Sequence, residues 1–126
     1  MDQLNLLAGW IGILCGMISG ALHGLYFHRH EWLGGYATWP RRLTRLGHIR
    51  FFGLGFINLA FAWSLPTAHA GPGITWSGWA LIVGSLTMPC SCYLAAFVPA
   101  CRHVFIVPVI SLITGVMVFI TQGLMP

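Results

Sequence analysis

This chain of 126 residues is 57% hydrophobic and only 6% charged, whereas about a quarter of the residues in an average soluble domain are charged. Its net charge of +4 comes from six arginines against Asp2 and Glu31, without the basic face on a soluble fold that nucleic-acid binding requires. The composition therefore predicts an integral membrane protein whose main contact is the lipid bilayer, and it argues against a nucleic-acid partner.

Four apolar segments follow one another along the chain, and each approaches the 20 or so residues that cross a bilayer. They cover about residues 4–27, 46–65, 76–98 and 103–124 of a single transmembrane domain, 1–126. The first has no basic stretch before it, so we interpret it as a retained span. The motif "TWPRRL" predicts that the second helix begins near Pro40, some two turns before it enters the membrane.

The arginines are distributed unevenly over the connections. The first connection and the start of the second span contain five of them, the third connection contains Arg102, and the second connection and both tails contain none. Positively charged connections stay in the cytoplasm. The expected fold is therefore an all-α integral membrane four-helix bundle with both termini on the outer side, as in a multi-pass protein of a bacterial inner membrane.

Glycines form one face of the first span. Gly9, Gly12, Gly16 and Gly20 are followed on that face by His23, at helical spacing. Such a face is typical of close packing between helices. That explanation leaves out His23, because an imidazole inside a membrane is costly without a partner and is a functional candidate.

The second span repeats this pattern, since His48, Phe52, Gly55 and Asn58 share a face. His23 and His48 are expected at the same depth on antiparallel helices. This arrangement suits axial ligation of a flat cofactor such as haem b, with Gly20 and Gly55 letting a porphyrin approach the backbone. Arg50, with Arg45 or Arg42, would then pair with the haem propionates at the membrane edge. Two alternatives stay open: an interfacial histidine beside an arginine that extends to the headgroups, and a proton or ion path.

Further candidates lie toward the end of the chain. His103 begins the fourth span and is a possible replacement for His23 or His48 as a ligand. The stretch "TMPCSCYLAAFVPAC" holds soft ligands suited to Cu(I), although Cys90 and Cys92 point about 200° apart on a helix. No carboxylate lies within the spans, and no nucleophilic or phosphate-binding motif is present. We therefore expect no catalytic activity of the chain's own.

The stretch "RLGHIRFFGLGFINLAFA" resembles small four-span membrane proteins related to one four-helix unit of the haem–copper oxidase catalytic subunit. In that group a Gly-His pair opens a span that continues with glycine and aromatic residues, and histidines ligate haem. The matching residues are Gly47, His48, Gly53, Gly55 and Phe56, while His23 in "SGALHG" matches a ligand on the preceding span. The resemblance implies a haem b protein or a relic scaffold. It does not imply oxygen reduction, because four spans cannot hold the remaining ligands of an oxidase.

These observations favour a membrane protein that binds haem b in electron transfer, as an accessory subunit of a respiratory or photosynthetic complex. One alternative is a cofactor-free structural subunit that packs against a larger membrane partner or forms a homo-oligomer. Two others are a chlorophyll-binding subunit and a copper-handling protein. The metal ligands expected in the first case are His23 and His48.

Overall fold

The computed structural model describes residues 2–125, which are helical with short connections and contain no strand. Helix α1 covers Asp2–Phe27, α2 Trp39–Ser64, α3 Pro72–Phe97 and α4 Ile106–Val118. A 3-10 segment, Pro99–Phe105, leads into α4, and a π-helical segment, Phe119–Leu124, continues it. The prediction of an all-α fold is confirmed.

Four helical stretches are long and apolar enough to cross a membrane: Asp2–Phe27, Trp39–Thr67, Pro72–Phe97 and Pro99–Leu124. Each has at least 26 residues, and at 1.5 Å per residue this length exceeds a hydrocarbon core of about 30 Å. The second begins at Trp39 with a proline in its first turn, as the motif predicts. The third begins at Pro72, four residues before the expected start of the apolar run at residue 76, because Pro72 occupies the first helical position.

The helices pack mainly on their neighbours in the chain, α1 on α2, α2 on α3, and α3 on α4, with a smaller contact between α1 and α3. Most of the buried residues lie on α2 and α3, whereas α1 and α4 keep broad exposed apolar faces. The bundle is therefore an open row of helices with α1 and α4 at its edges.

Buried polar groups tie these helices together. The amide Nδ2 of Asn5 donates to Asn58 Oδ1 at 2.9 Å and to the Gly78 carbonyl at 3.1 Å, which links three helices. Ser77 Oγ donates to the Gly115 carbonyl at 2.6 Å and links α3 to α4. Such hydrogen bonds between spans contribute on the order of 0.6–2 kcal/mol each. Both links therefore fix the position of neighbouring helices along their axes.

The first connection is organised by a buried arginine, since Arg41 is only 3% exposed. Its guanidinium donates to three carbonyls at and beyond the end of α1, those of Phe27, Arg29 and His30. It also lies 5.3–5.5 Å from three ring centroids, those of Phe27, Trp32 and Tyr36. Arg41 is thus a cap for α1 supplied by α2.

Candidate functional site: a histidine pair between the first two helices

His23 and His48 lie side by side where α1 ends and α2 begins. Their ring centroids are 5.9 Å apart and their planes are inclined by 78°. Both side chains are partly buried. The antiparallel α1 and α2 pack along each other, so the last turns of α1 meet the first turns of α2. The structure therefore brings together the two histidines that the sequence places at the same depth.

A serine fixes the orientation of the His48 ring. Ser19 Oγ lies 3.1 Å from His48 Nδ1 and 3.1 Å from the Gly16 carbonyl oxygen. The hydroxyl hydrogen can go to the Gly16 carbonyl or to His48 Nδ1, so this contact is compatible with either tautomer of His48. A hydrogen bond to one ring nitrogen fixes the orientation of an imidazole, as second partners do for metal-binding histidines.

Aromatic side chains surround the pair. The ring centroids of Trp32 and Tyr93 lie 5.7 and 5.9 Å from that of His23, and Phe52 packs edge-on against His48 at 5.4 Å. The Tyr93 hydroxyl is buried close to the Ser19 hydroxyl. Sequence analysis did not single out Trp32 or Tyr93. The available signal for Tyr93 was a hydroxyl-bearing ring inside an apolar span near the end where both histidines lie.

The glycines of this region are used for contact between α1 and α2. A Cβ on Gly20 would lie 2.6 Å from His48 Cε1. One on Gly55 would lie 2.9 Å from the Gly9 carbonyl oxygen, across the helix interface. These contacts match close helix packing, one of the two roles predicted for Gly20 and Gly55.

Arg50 is not brought to the histidine pair. Helix α2 is unbroken from Trp39 to Ser64, and residues two apart on a helix point about 200° apart. Arg50 therefore lies on the far side of α2 from His48, close enough to Cys92 of α3 for its charge to act on that thiol. Its Nε is buried without a hydrogen-bond partner among residues 2–125. This placement gives no support to a propionate contact from Arg50.

The remaining candidate ligands stay apart. His103 is exposed in the 3-10 segment before α4, and Cys90 is exposed while Cys92 is fully buried. Within residues 2–125, no three His, Cys, Asp or Glu side chains are grouped so that they could share a metal ion. Neither His103 nor the cysteines add a donor to the histidine pair.

The two imidazoles of the pair have the donor chemistry that could hold a haem iron, although the His48 ring packs directly against Gly20 of α1. His23 and His48 have a separation of 5.9 Å, and histidine is a common axial ligand of haem iron. His23 and His48 are therefore the residues that would hold the iron, whereas Gly20 adds no cradle for the group.

Comparison of the chain with protein-family models, curated proteins and solved structures returned no match. The geometry of the described residues is therefore the basis for the functional proposal.

Proposed function

We propose that this chain is a multi-pass membrane protein that binds haem b through His23 and His48 and works in electron transfer, as an accessory subunit of a respiratory or photosynthetic complex. The observation that carries the proposal is the 5.9 Å separation of the two imidazole rings. The motif resemblance around Gly47 and His48 points the same way. The proposed location is a bacterial inner membrane, with the arginine-rich connections in the cytoplasm and both termini outside.

Each residue of the pair's surroundings has a role in this proposal. His23 and His48 would hold the iron, and a bound haem would supply one-electron chemistry. The Ser19 hydroxyl, 3.1 Å from His48 Nδ1, orients the His48 ring. Phe52 packs against that ring and Trp32 against His23, and both imidazoles are partly buried.

A second candidate is a cofactor-free structural subunit. It is favoured by the contacts of Gly20 and of Gly16, whose added Cβ atoms would meet the rings of His48 and Phe52. Protein side chains thus already fill the glycine face of α1. In this case the imidazoles are polar groups between α1 and α2 that fix the position of the two helices along their axes. The exposed faces of α1 and α4 are then available to a larger membrane partner or to another copy of the chain.

The optical spectrum of the purified protein distinguishes these candidates. The haem proposal predicts Soret and alpha bands that change on reduction. His48→Ala should lose the six-coordinate spectrum, and His23→Ala should lose it or leave a five-coordinate, high-spin species. His69→Ala and His103→Ala are the matched controls, because both histidines are exposed and distant from the pair, and both should keep the wild-type bands.

The other outcomes are equally specific. A wild-type spectrum in His48→Ala would show that His48 is not a ligand. A red band near the far visible region would indicate chlorophyll. A featureless visible spectrum together with one bound copper per chain would indicate copper handling. A featureless spectrum without metal would establish the structural subunit.

A further inference from the structure

A groove lies along one face of the first turns of α2, and its lining residue Leu43 packs on α3. It has a volume of about 490 Å³. Two arginines, Arg42 and Arg45, stand one turn apart at its mouth, and apolar side chains form the rest of its lining. The lining residues are Trp39, Arg42, Leu43, Arg45, Leu46 and Ile49.

The two guanidinium groups at this mouth are available to a ligand. Within residues 2–125 the hydrogen bonds donated by arginine side chains all come from Arg41, so Arg42 and Arg45 keep their donors free. Arg45 is also held in place, because its guanidinium stacks 4.3 Å above the centre of the Tyr36 ring. An arginine of this kind presents a planar fork that matches a phosphate group.

One wall of the groove is fixed by a tryptophan. Trp39 Nε1 donates to the Ala95 carbonyl at 2.9 Å, which ties the indole to α3. The same indole lines a second hollow of about 450 Å³ between α2 and the end of α3, where Arg102 adds another positive charge. The indole of Trp39 therefore separates the groove from this second hollow, and both contain arginine side chains.

An apolar track leads from the arginines along α2. Leu46, Ile49 and Phe56 are 36%, 62% and 57% exposed and follow one another at helical spacing on the groove's side of the helix. Between them, a Cβ on Gly53 would meet no atom within 4 Å. A ligand whose charged end binds Arg42 and Arg45 can thus continue along bare apolar surface for about three turns.

We propose that this groove is a binding site for an anionic phospholipid, whose phosphate is held by Arg42 and Arg45 and whose acyl chain lies over Leu46 and Ile49. Charge complementarity selects a headgroup that carries net negative charge, as basic pockets on the cytoplasmic side of membrane proteins do. The inference rests on the membrane insertion in the proposed function and is independent of haem.

Retention of lipid by the purified protein tests the site. The full chain in neutral detergent is mixed with phosphatidylglycerol or with phosphatidylcholine of the same acyl chains, and bound lipid is counted by native mass spectrometry. The wild type should retain phosphatidylglycerol in preference. The variant with Arg42→Gln and Arg45→Gln should retain about tenfold less, the equivalent of one lost charge-assisted hydrogen bond.

Arg29→Gln is the matched control, because Arg29 is exposed near the same end of the bundle but lies against Tyr26, outside the groove. It should retain phosphatidylglycerol as the wild type does, and circular dichroism should show equal helix content in all variants. Equal retention of the two lipids by the wild type would overturn the proposal. So would equal losses in the groove variant and the Arg29 variant, or full displacement of the lipid by an equal concentration of inorganic phosphate.

This outcome is separable from that of the haem experiment. If the protein shows no haem bands but retains phosphatidylglycerol through Arg42 and Arg45, the lipid-site proposal is supported and only the haem proposal fails. If the protein shows haem bands and no lipid preference, the haem proposal is supported and the lipid-site proposal fails.

Discussion

At the scale of single residues, two glycines one turn apart on α1 have opposite surroundings. A Cβ on Gly20 would lie 2.6 Å from His48 Cε1, whereas one on Gly24 would meet nothing within 4 Å. Gly20→Ala should therefore displace the His48 ring and destabilise the fold by about 1–3 kcal/mol through overpacking. Gly24→Ala should be neutral or stabilise the helix by up to about 1 kcal/mol.

Unfolding of both variants by a strong detergent, followed by circular dichroism, measures this difference. The comparison needs no cofactor, because it depends only on the packing of α1 against α2. Equal midpoints for Gly20→Ala and Gly24→Ala would contradict the close contact between Gly20 and His48.

The sequence could place the histidines but not their neighbours. The shared depth of His23 and His48 follows from counting residues on two antiparallel spans. Tyr93 comes from α3 and Trp32 from a turn with non-helical geometry, so their position beside His23 depends on packing that no local pattern encodes. The direction of Arg50 relative to His48 follows from the sequence, because residues two apart on a helix point about 200° apart. The propionate contact stays a prediction.

At the scale of the elements, the end of α1 depends on Arg41 of α2. Arg41→Gln removes a buried charge that binds the carbonyls of Phe27, Arg29 and His30. Hydrogen bonds to a charged group contribute about 1.5–3 kcal/mol, so the variant should lose at least that much stability. It should also expose the first connection to protease, because the turn at residues 28–38 loses its anchor.

The adjacent Arg42→Gln is the control for this prediction, since Arg42 is exposed and makes no such bonds. Limited proteolysis in neutral detergent and an unfolding titration provide the two measurements. If Arg41→Gln and Arg42→Gln were cleaved at the same rate, Arg41 would not be the anchor of the connection.

The helices themselves were predictable from composition, and their packing order was not. Four apolar runs and the proline of "TWPRRL" are enough to place four helices and the start of α2. A side chain that faces lipid and one that faces another span are both apolar, so hydrophobic periodicity does not show which faces meet. Contacts such as that of Asn5 with Asn58 and Gly78 become visible only in three dimensions.

At the scale of the whole molecule, the distribution of arginine predicts the orientation in the membrane. In a background in which the four cysteines are replaced, Thr67→Cys should react with an impermeant maleimide in intact cells, and Ala37→Cys should react only after permeabilisation. Both positions are exposed. Gly35 is unsuitable as a reporter, because its φ of 110° strains any other residue. The reverse pattern of labelling would invert the topology.

The open row of helices also has a consequence for how the protein is made. Because α2 packs on α1, α3 on α2 and α4 on α3, every span after the first has a main packing partner that has already been synthesised. Each newly inserted segment can therefore dock on the growing edge without waiting for a later one, and most contacts close short loops of chain. Biogenesis can thus proceed by stepwise addition during translation, and the fourth span is the last surface to form.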